Sequence, residues 1–206
     1  ADAKPLSAAK TIHIPFDSTP TTVLMGQLGQ KRVADTLGLQ HQTNFAIADE
    51  IAGGGNFQAR LMEDIRKKRG LTYGIYSSTT PMLAQGSYTI SFSTRNQKSQ
   101  EAIEATKQVI KNTLEKGVTP NELALTKDSL INSFPTSFAS NAAMNATIGM
   151  MGFYQLPDSY LTDYVTRVQR ADLNAVNQSY KNLIDPNKFL IVTVGNATPD
   201  TTKTAK

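Results

Sequence analysis

The heptapeptide Ser87-Tyr88-Thr89-Ile90-Ser91-Phe92-Ser93 alternates strictly between polar and apolar residues. Successive strand side chains point to opposite faces, so Tyr88, Ile90 and Phe92 share one face while the serines and the threonine share the other. Such a strand belongs to a sheet with one buried face. Whatever else the chain contains must supply the cover for that face.

The remaining pattern supplies it. Strands are predicted at about 10–15, 21–29, 71–79 and 85–94, from β-branched and partly alternating runs such as Thr22-Val23-Leu24-Met25, and a last one over Lys188–Val194. Apolar spacing predicts a short helix over Thr43–Ala52, stopped by Gly53-Gly54-Gly55, and a second from Phe57 to Arg69, ended by Gly70 as a C-terminal cap. At about 100° per residue, Phe57, Leu61 and Ile65 form one stripe with Met62 on its margin. The second half is mostly helical, over about 97–116, 120–134, 140–155, 158–169 and 172–184. Thr119-Pro120-Asn121-Glu122 is a capping box, and Asp158 and Asp172 are placed to cap the last two helices. This order is α+β rather than alternating βαβ: two layers, a mainly antiparallel sheet with helices packed on one face. The expected division is a linker over 1–9, a single domain over 10–196 and a flexible tail over 197–206.

Composition narrows the chemistry. The 206 residues are 39% hydrophobic and 18% charged, enough to bury a core. An excess of 21 basic over 17 acidic residues falls short of a nucleic-acid-binding stripe, so no nucleic-acid partner is expected. There is no cysteine, which removes disulfides, thiolate nucleophiles and cysteine–zinc sites. No apolar run reaches the roughly 18–20 residues of a membrane span. The start, Ala1-Asp2-Ala3-Lys4-Pro5, lacks an initiator Met and reads as a fragment or processed piece of something longer.

Three motifs invite a functional reading. The triglycine lacks the Lys-Ser/Thr of a phosphate loop and follows a helix rather than a strand. It is read as a sharp connection where positive φ is needed. Arg66-Lys67-Lys68-Arg69 follows Glu63 and Asp64 and sits where a helix C-terminus welcomes cations; Lys67 lies opposite the apolar stripe and Arg66 on its flank. The two histidines, His13 and His41, are far apart, and no H-x-x-E-H or H-x-x-E-x-x-H occurs. With so few ligands a zinc site in this chain is not expected, and no G-x-S-x-G supports a serine nucleophile.

The stretch Gly53-Gly54-Gly55-Asn56-Phe57-Gln58-Ala59-Arg60-Leu61-Met62-Glu63-Asp64-Ile65-Arg66-Lys67-Lys68-Arg69-Gly70-Leu71-Thr72-Tyr73 closely resembles a segment of the insulinase/pitrilysin metallopeptidases, which include the mitochondrial processing peptidases. The Thr119–Glu122 cap, Phe134–Asn141, Gly152-Phe153-Tyr154 before a proline and the closing Leu190–Gly195 run occur in that family's order. The resemblance therefore covers nearly the whole chain. It implies a metallohydrolase-like half domain, of the kind that lacks the zinc motif and supplies an arginine and a tyrosine seven residues apart. Arg66 and Tyr73 occupy those positions. The resemblance further implies no cofactor in this chain, zinc on a complementary homologous half (on the same polypeptide or a separate subunit), and a peptide substrate between the halves. The chain would then be part of a zinc metalloendopeptidase and inactive alone. Bacterial members are the most similar, many of them exported, which points to the periplasm or another exported location. The alternative function is a non-catalytic scaffold or partner-stabilising domain of the same fold.

Overall fold

The computed structural model describes residues 3–196; the tail expected over 197–206 lies outside the described residues. Strands β1 (Lys10–Pro15), β2 (Pro20–Leu28), β3 (Ile75–Thr80), β4 (Ser87–Arg95) and β5 (Leu190–Gly195) form one sheet in the order β1-β5-β2-β4-β3. All pairings are antiparallel except β1 with β5, which is parallel. The last strand thus inserts between the first two, tying the end of the domain to its beginning.

The alternation of β4 does what its pattern demands. Tyr88, Ile90 and Phe92 are buried, and they share their face with Val23 and Met25 of β2, Ile75 of β3 and Ile191 of β5. Helices α1 (Thr36–Ala52), α2 (Ser99–Lys116), α3 (Pro120–Ser133), α5 (Tyr164–Arg170) and α6 (Leu173–Leu183) cover that face. Phe45 of α1 stacks on Tyr180 of α6 at 5.8 Å and meets the edge of Tyr88 at 6.1 Å. Each fully buried side chain of this kind contributes about 1.5–3 kcal/mol. The other sheet face stays uncovered, with Ile12, Leu24 and Leu190 at 36–43% exposure. Helix α4 (Asn141–Phe153) buries no residue. No helix among the described residues is long and apolar enough to cross a membrane.

Boundaries depart from the sequence expectations where polar side chains do unadvertised work. Helix α1 begins seven residues before the expected Thr43, because Asp35 caps it by accepting from the Gly38 N–H at 2.8 Å. Its polar first half is anchored by Gln40, which donates to the Arg167 carbonyl, and Gln42, which donates to the Lys31 carbonyl. Asp158 does not cap α5. The Tyr160 carbonyl, which a continuous helix would use, accepts instead from Arg167, and the Tyr164 N–H turns to Leu161; residues 158–160 form a single tight turn and α5 starts only at Tyr164. By contrast, the Thr119 capping box forms in full, and Asp172 accepts from the Ala175 N–H.

Candidate functional site

The segment from Gly53 to Ser77 begins with a backbone contact. The N–H groups of Gly53 and Gly54 both bond the Asp49 carbonyl, closing α1, and the Gly53 carbonyl accepts from the Ser77 N–H at 2.6 Å. The triglycine therefore lies along the outer edge of β3 and occupies a ladder position that an edge strand would otherwise expose. None of the three glycines has positive φ, so the conformational reason given by the sequence is incorrect. Space is the reason: a Cβ on Gly53 would lie 2.6 Å from both Leu61 and the Ser77 hydroxyl. A side chain there would push the loop off the sheet.

Beneath this loop sits a buried polar network. Ser77 donates to Asp49 Oδ1 at 2.5 Å, and the Tyr88 and Tyr180 hydroxyls meet at 3.0 Å. Burial pushes the Asp49 carboxyl up to about 6, against the hydrogen bond from Ser77 that lowers it; nearby Glu50 adds to the rise. Burial likewise raises the Tyr88 and Tyr180 hydroxyls, so both stay protonated donors. The network ties α1, β3, β4 and α6 together under this loop.

From Met62 to Lys68 the chain winds as a π-helix, with the Arg69 N–H reaching the Asp64 carbonyl and Leu71 the Ile65 carbonyl. Gly70 ends it at φ 61°, as its C-terminal position predicts. Leu61, Met62 and Ile65 are buried as expected, but Phe57 is 60% exposed. Residues 53–59 form turns rather than helix, so Phe57 is out of register with the stripe assigned to it. Its ring instead lies under Arg66, whose guanidinium carbon is 4.9 Å from the ring centroid. The neighbouring charges are spent locally: Lys67 pairs with Glu63 and Arg69 with Asp64. Arg60 forks onto Glu122 at 2.8 and 2.7 Å and also donates to the Gly117 carbonyl, locking the segment to the start of α3. Burial raises the Glu122 carboxyl, but the bonds from Arg60 and Thr119 outweigh it and hold it below its ordinary value.

Arg66 is half-buried and, among the described residues, makes no side-chain hydrogen bond or ion pair. Tyr73 is 97% exposed. It does not open β3, as the sequence suggested. Thr72 donates to the carbonyls of Gly74 and Ser93, which holds residues 72–74 in a turn and delays the strand to Ile75. Arg66 and Tyr73 thus stand on the two sides of the Gly70 turn, which the bond from the Gly70 N–H to the Arg66 carbonyl closes. Two donors so placed can bind an acceptor brought from outside the chain; among the described residues neither side chain makes a hydrogen bond. Phe57, Arg60 and the Asp49 pair escape a reading by periodicity, although an aspartate inside the apolar stripe of α1 is itself a signal of buried chemistry.

The other candidates resolve into structure. His13 bonds Thr193 across β1 and β5 at 2.9 Å, and His41 is exposed on α1. Among the described residues no three His, Asp or Glu side chains are grouped to hold a metal ion. A cleft of about 710 Å³ on the open sheet face is lined by Leu24, Leu28, Ser87 and Leu190, with Lys4–Leu6 along it. It lies at the Ser87 end of β4, whereas Tyr73 lies near the Ser93 end, and it contains neither Arg66 nor Tyr73.

Comparison with known proteins identifies the family of the chain. The chain is similar to a solved peptidase M16 inactive domain from Pseudomonas fluorescens, 35% identical, with a TM-score of 0.85 over 97% of this chain and 46% of that one. It is 28% identical over 152 residues to the non-peptidase homologue YmxG of Helicobacter pylori, and 18% identical over 147 residues to an uncharacterised zinc protease of Mycobacterium bovis. Each alignment takes in 71% of this chain but only 34% and 33% of the relative, so the chain spans about a third of their length. The family described as the peptidase M16 inactive domain matches residues 4–130, well over half of the sequence, and the chain belongs to that family.

Proposed function

We propose that this domain serves as the zinc-lacking half of a metallopeptidase, binding peptide and presenting Arg66 and Tyr73 to an active site whose zinc is held by a complementary half. The observation that carries the reading is the pairing of a 97% exposed tyrosine with a half-buried, unpaired arginine across one glycine turn, in a segment where Arg60, Lys67 and Arg69 are each paired with an acid. A solvent-facing tyrosine and a guanidinium with no acid beside it both keep donors free for an acceptor that comes from outside the chain. A guanidinium is a fixed, planar cation, and the Phe57 ring holds that of Arg66 without neutralising it. The Tyr73 hydroxyl offers a neutral donor. Together they suit the developing oxyanion of a peptide carbonyl attacked by zinc-bound water. This chain would contribute binding and charge stabilisation; the zinc and its water belong to the partner half.

The test is kinetic and needs the assembled pair of halves. Arg66→Ala or Tyr73→Phe is expected to lower peptide hydrolysis by about 10²-fold with assembly unchanged. Unchanged turnover would leave the domain as a scaffold that shapes or stabilises its partner.

A further inference from the structure

We propose a second binding site, for a small oxyanion of carboxylate or phosphate type, in the cavity where the end of β3 meets α1, α3 and α5. The cavity measures about 260 Å³ and is lined by Arg32, Thr79, Tyr160, Tyr164 and Arg167 among others. It shares no lining residue with the Arg66–Tyr73 corner, so this site is independent of the function proposed above.

Three buried side-chain polar atoms among the described residues lack a hydrogen-bond partner: Arg32 Nε, Thr79 Oγ1 and Arg167 Nε. All three residues line this one cavity. Unpartnered buried polar groups are uncommon, and here the three residues that carry them surround one cavity. Arg167 is 6% exposed and makes a single side-chain hydrogen bond, to the Tyr160 carbonyl. Arg32 makes no side-chain hydrogen bond or ion pair among the described residues; its guanidinium carbon lies 5.3 Å from the Tyr154 ring centroid.

Charge sharpens the case. No aspartate or glutamate lines the cavity, and neither arginine takes part in an ion pair among the described residues. The carboxylate whose field reaches Tyr164 is Glu50, and Asn56 holds that group at 2.8 Å outside this cavity. The ring of Tyr160, 5.1 Å from the Arg167 guanidinium carbon, offsets a cation only weakly. Water would satisfy the open N–H groups but would leave two positive charges without a counter-ion beside them. A planar or tetrahedral oxyanion does both, since guanidinium forks match carboxylate and phosphate geometry. Thr79 adds a neutral donor from the sheet edge.

The two sources of such an anion are a free phosphate and the terminal carboxylate of a peptide. Thermal unfolding and calorimetric titration of the full chain, at matched ionic strength against chloride, separate them by using inorganic phosphate, N-acetylglycine and N-acetylglycinamide. Saturable stabilisation by phosphate or by N-acetylglycine, with the amide inert, is the expected result, and the anion that responds names the source. Arg32→Gln and Arg167→Gln should each weaken binding at least tenfold. If Arg167→Gln does not fold, Arg32→Gln decides, because Arg32 is less buried. Absence of any anion-specific stabilisation overturns the proposal, as does unchanged affinity in Arg32→Gln. Neither a partner half nor zinc enters the experiment, so its failure would leave the Arg66–Tyr73 reading untouched.

Discussion

The two ends of the segment between α1 and β3 treat their polar groups in opposite ways. Around the first end Asn56 bonds Glu50 and Arg60 forks onto Glu122, above the buried Asp49–Ser77 bond. At the second end Arg66 rests on a ring and Tyr73 stands in solvent. Only six residues separate Arg60 from Arg66, yet one guanidinium holds structure together and the other is left available. The difference teaches that availability here is not general looseness. The exposed corner is mounted on a base whose own chemistry is closed.

The largest test of that contrast lies at the buried end, where the engagement carries a penalty. Asp49 titrates near 6 in the folded chain, against an ordinary value of 3.8. Between those values the folded state keeps a proton that the unfolded state releases, so stability falls as pH rises through about 4 to 6 and stays lower above it. The shift corresponds to a cost on the order of 3 kcal/mol at neutral pH. Asp49→Asn keeps an oxygen acceptor for Ser77 and removes the charge. It is expected to raise neutral-pH stability by roughly 1–3 kcal/mol and to flatten the slope between pH 4 and 6 in denaturant melts. A variant that retains the wild-type slope would mean that Asp49 is not the group responsible.

Next in size is the separation of the two arginines. Arg60→Ala removes both arms of a partly buried fork and the bond to the Gly117 carbonyl, leaving Glu122 with only its capping partner. A loss of about 2 kcal/mol is expected, between the values typical of exposed and buried pairs. Arg66→Ala should cost no more than about 1 kcal/mol in the isolated chain, the worth of its contact with the Phe57 ring. Equal losses in thermal unfolding would erase the distinction between a structural and an available arginine.

This contrast also marks how far the sequence could be read. The one-faced sheet was legible because the alternation in Ser87–Ser93 is a direct print of strand geometry, and the Gly70 and Thr119 caps because each serves a specific backbone group. Phe57 was misplaced because a period of 100° per residue was carried across turns and into a π-helix, where it does not hold. Asp35, Gln40 and Gln42 extend α1 through side-chain to backbone bonds that leave no periodic trace. Arg66 and Tyr73 were recognisable only by resemblance, since spacing alone cannot tell an unpaired arginine from a paired one. That Arg60 is bound depends on Glu122, 62 positions away, and no local pattern reports such a partner.

The smallest expected effect probes how firmly Arg66 is held. The Phe57 ring over which its guanidinium lies is itself 60% exposed, so Phe57→Leu should cost little packing while removing the ring face. A double-mutant cycle of Phe57→Leu with Arg66→Ala, read by denaturant unfolding, is expected to give a coupling of about 0.5–1 kcal/mol, the range for an exposed cation–ring contact. That is enough to bias the guanidinium toward one position, and too little to account for keeping a charge there for stability's sake. A coupling above about 2 kcal/mol would place Arg66 with Arg60 among the structural arginines and remove the asymmetry on which the functional corner rests.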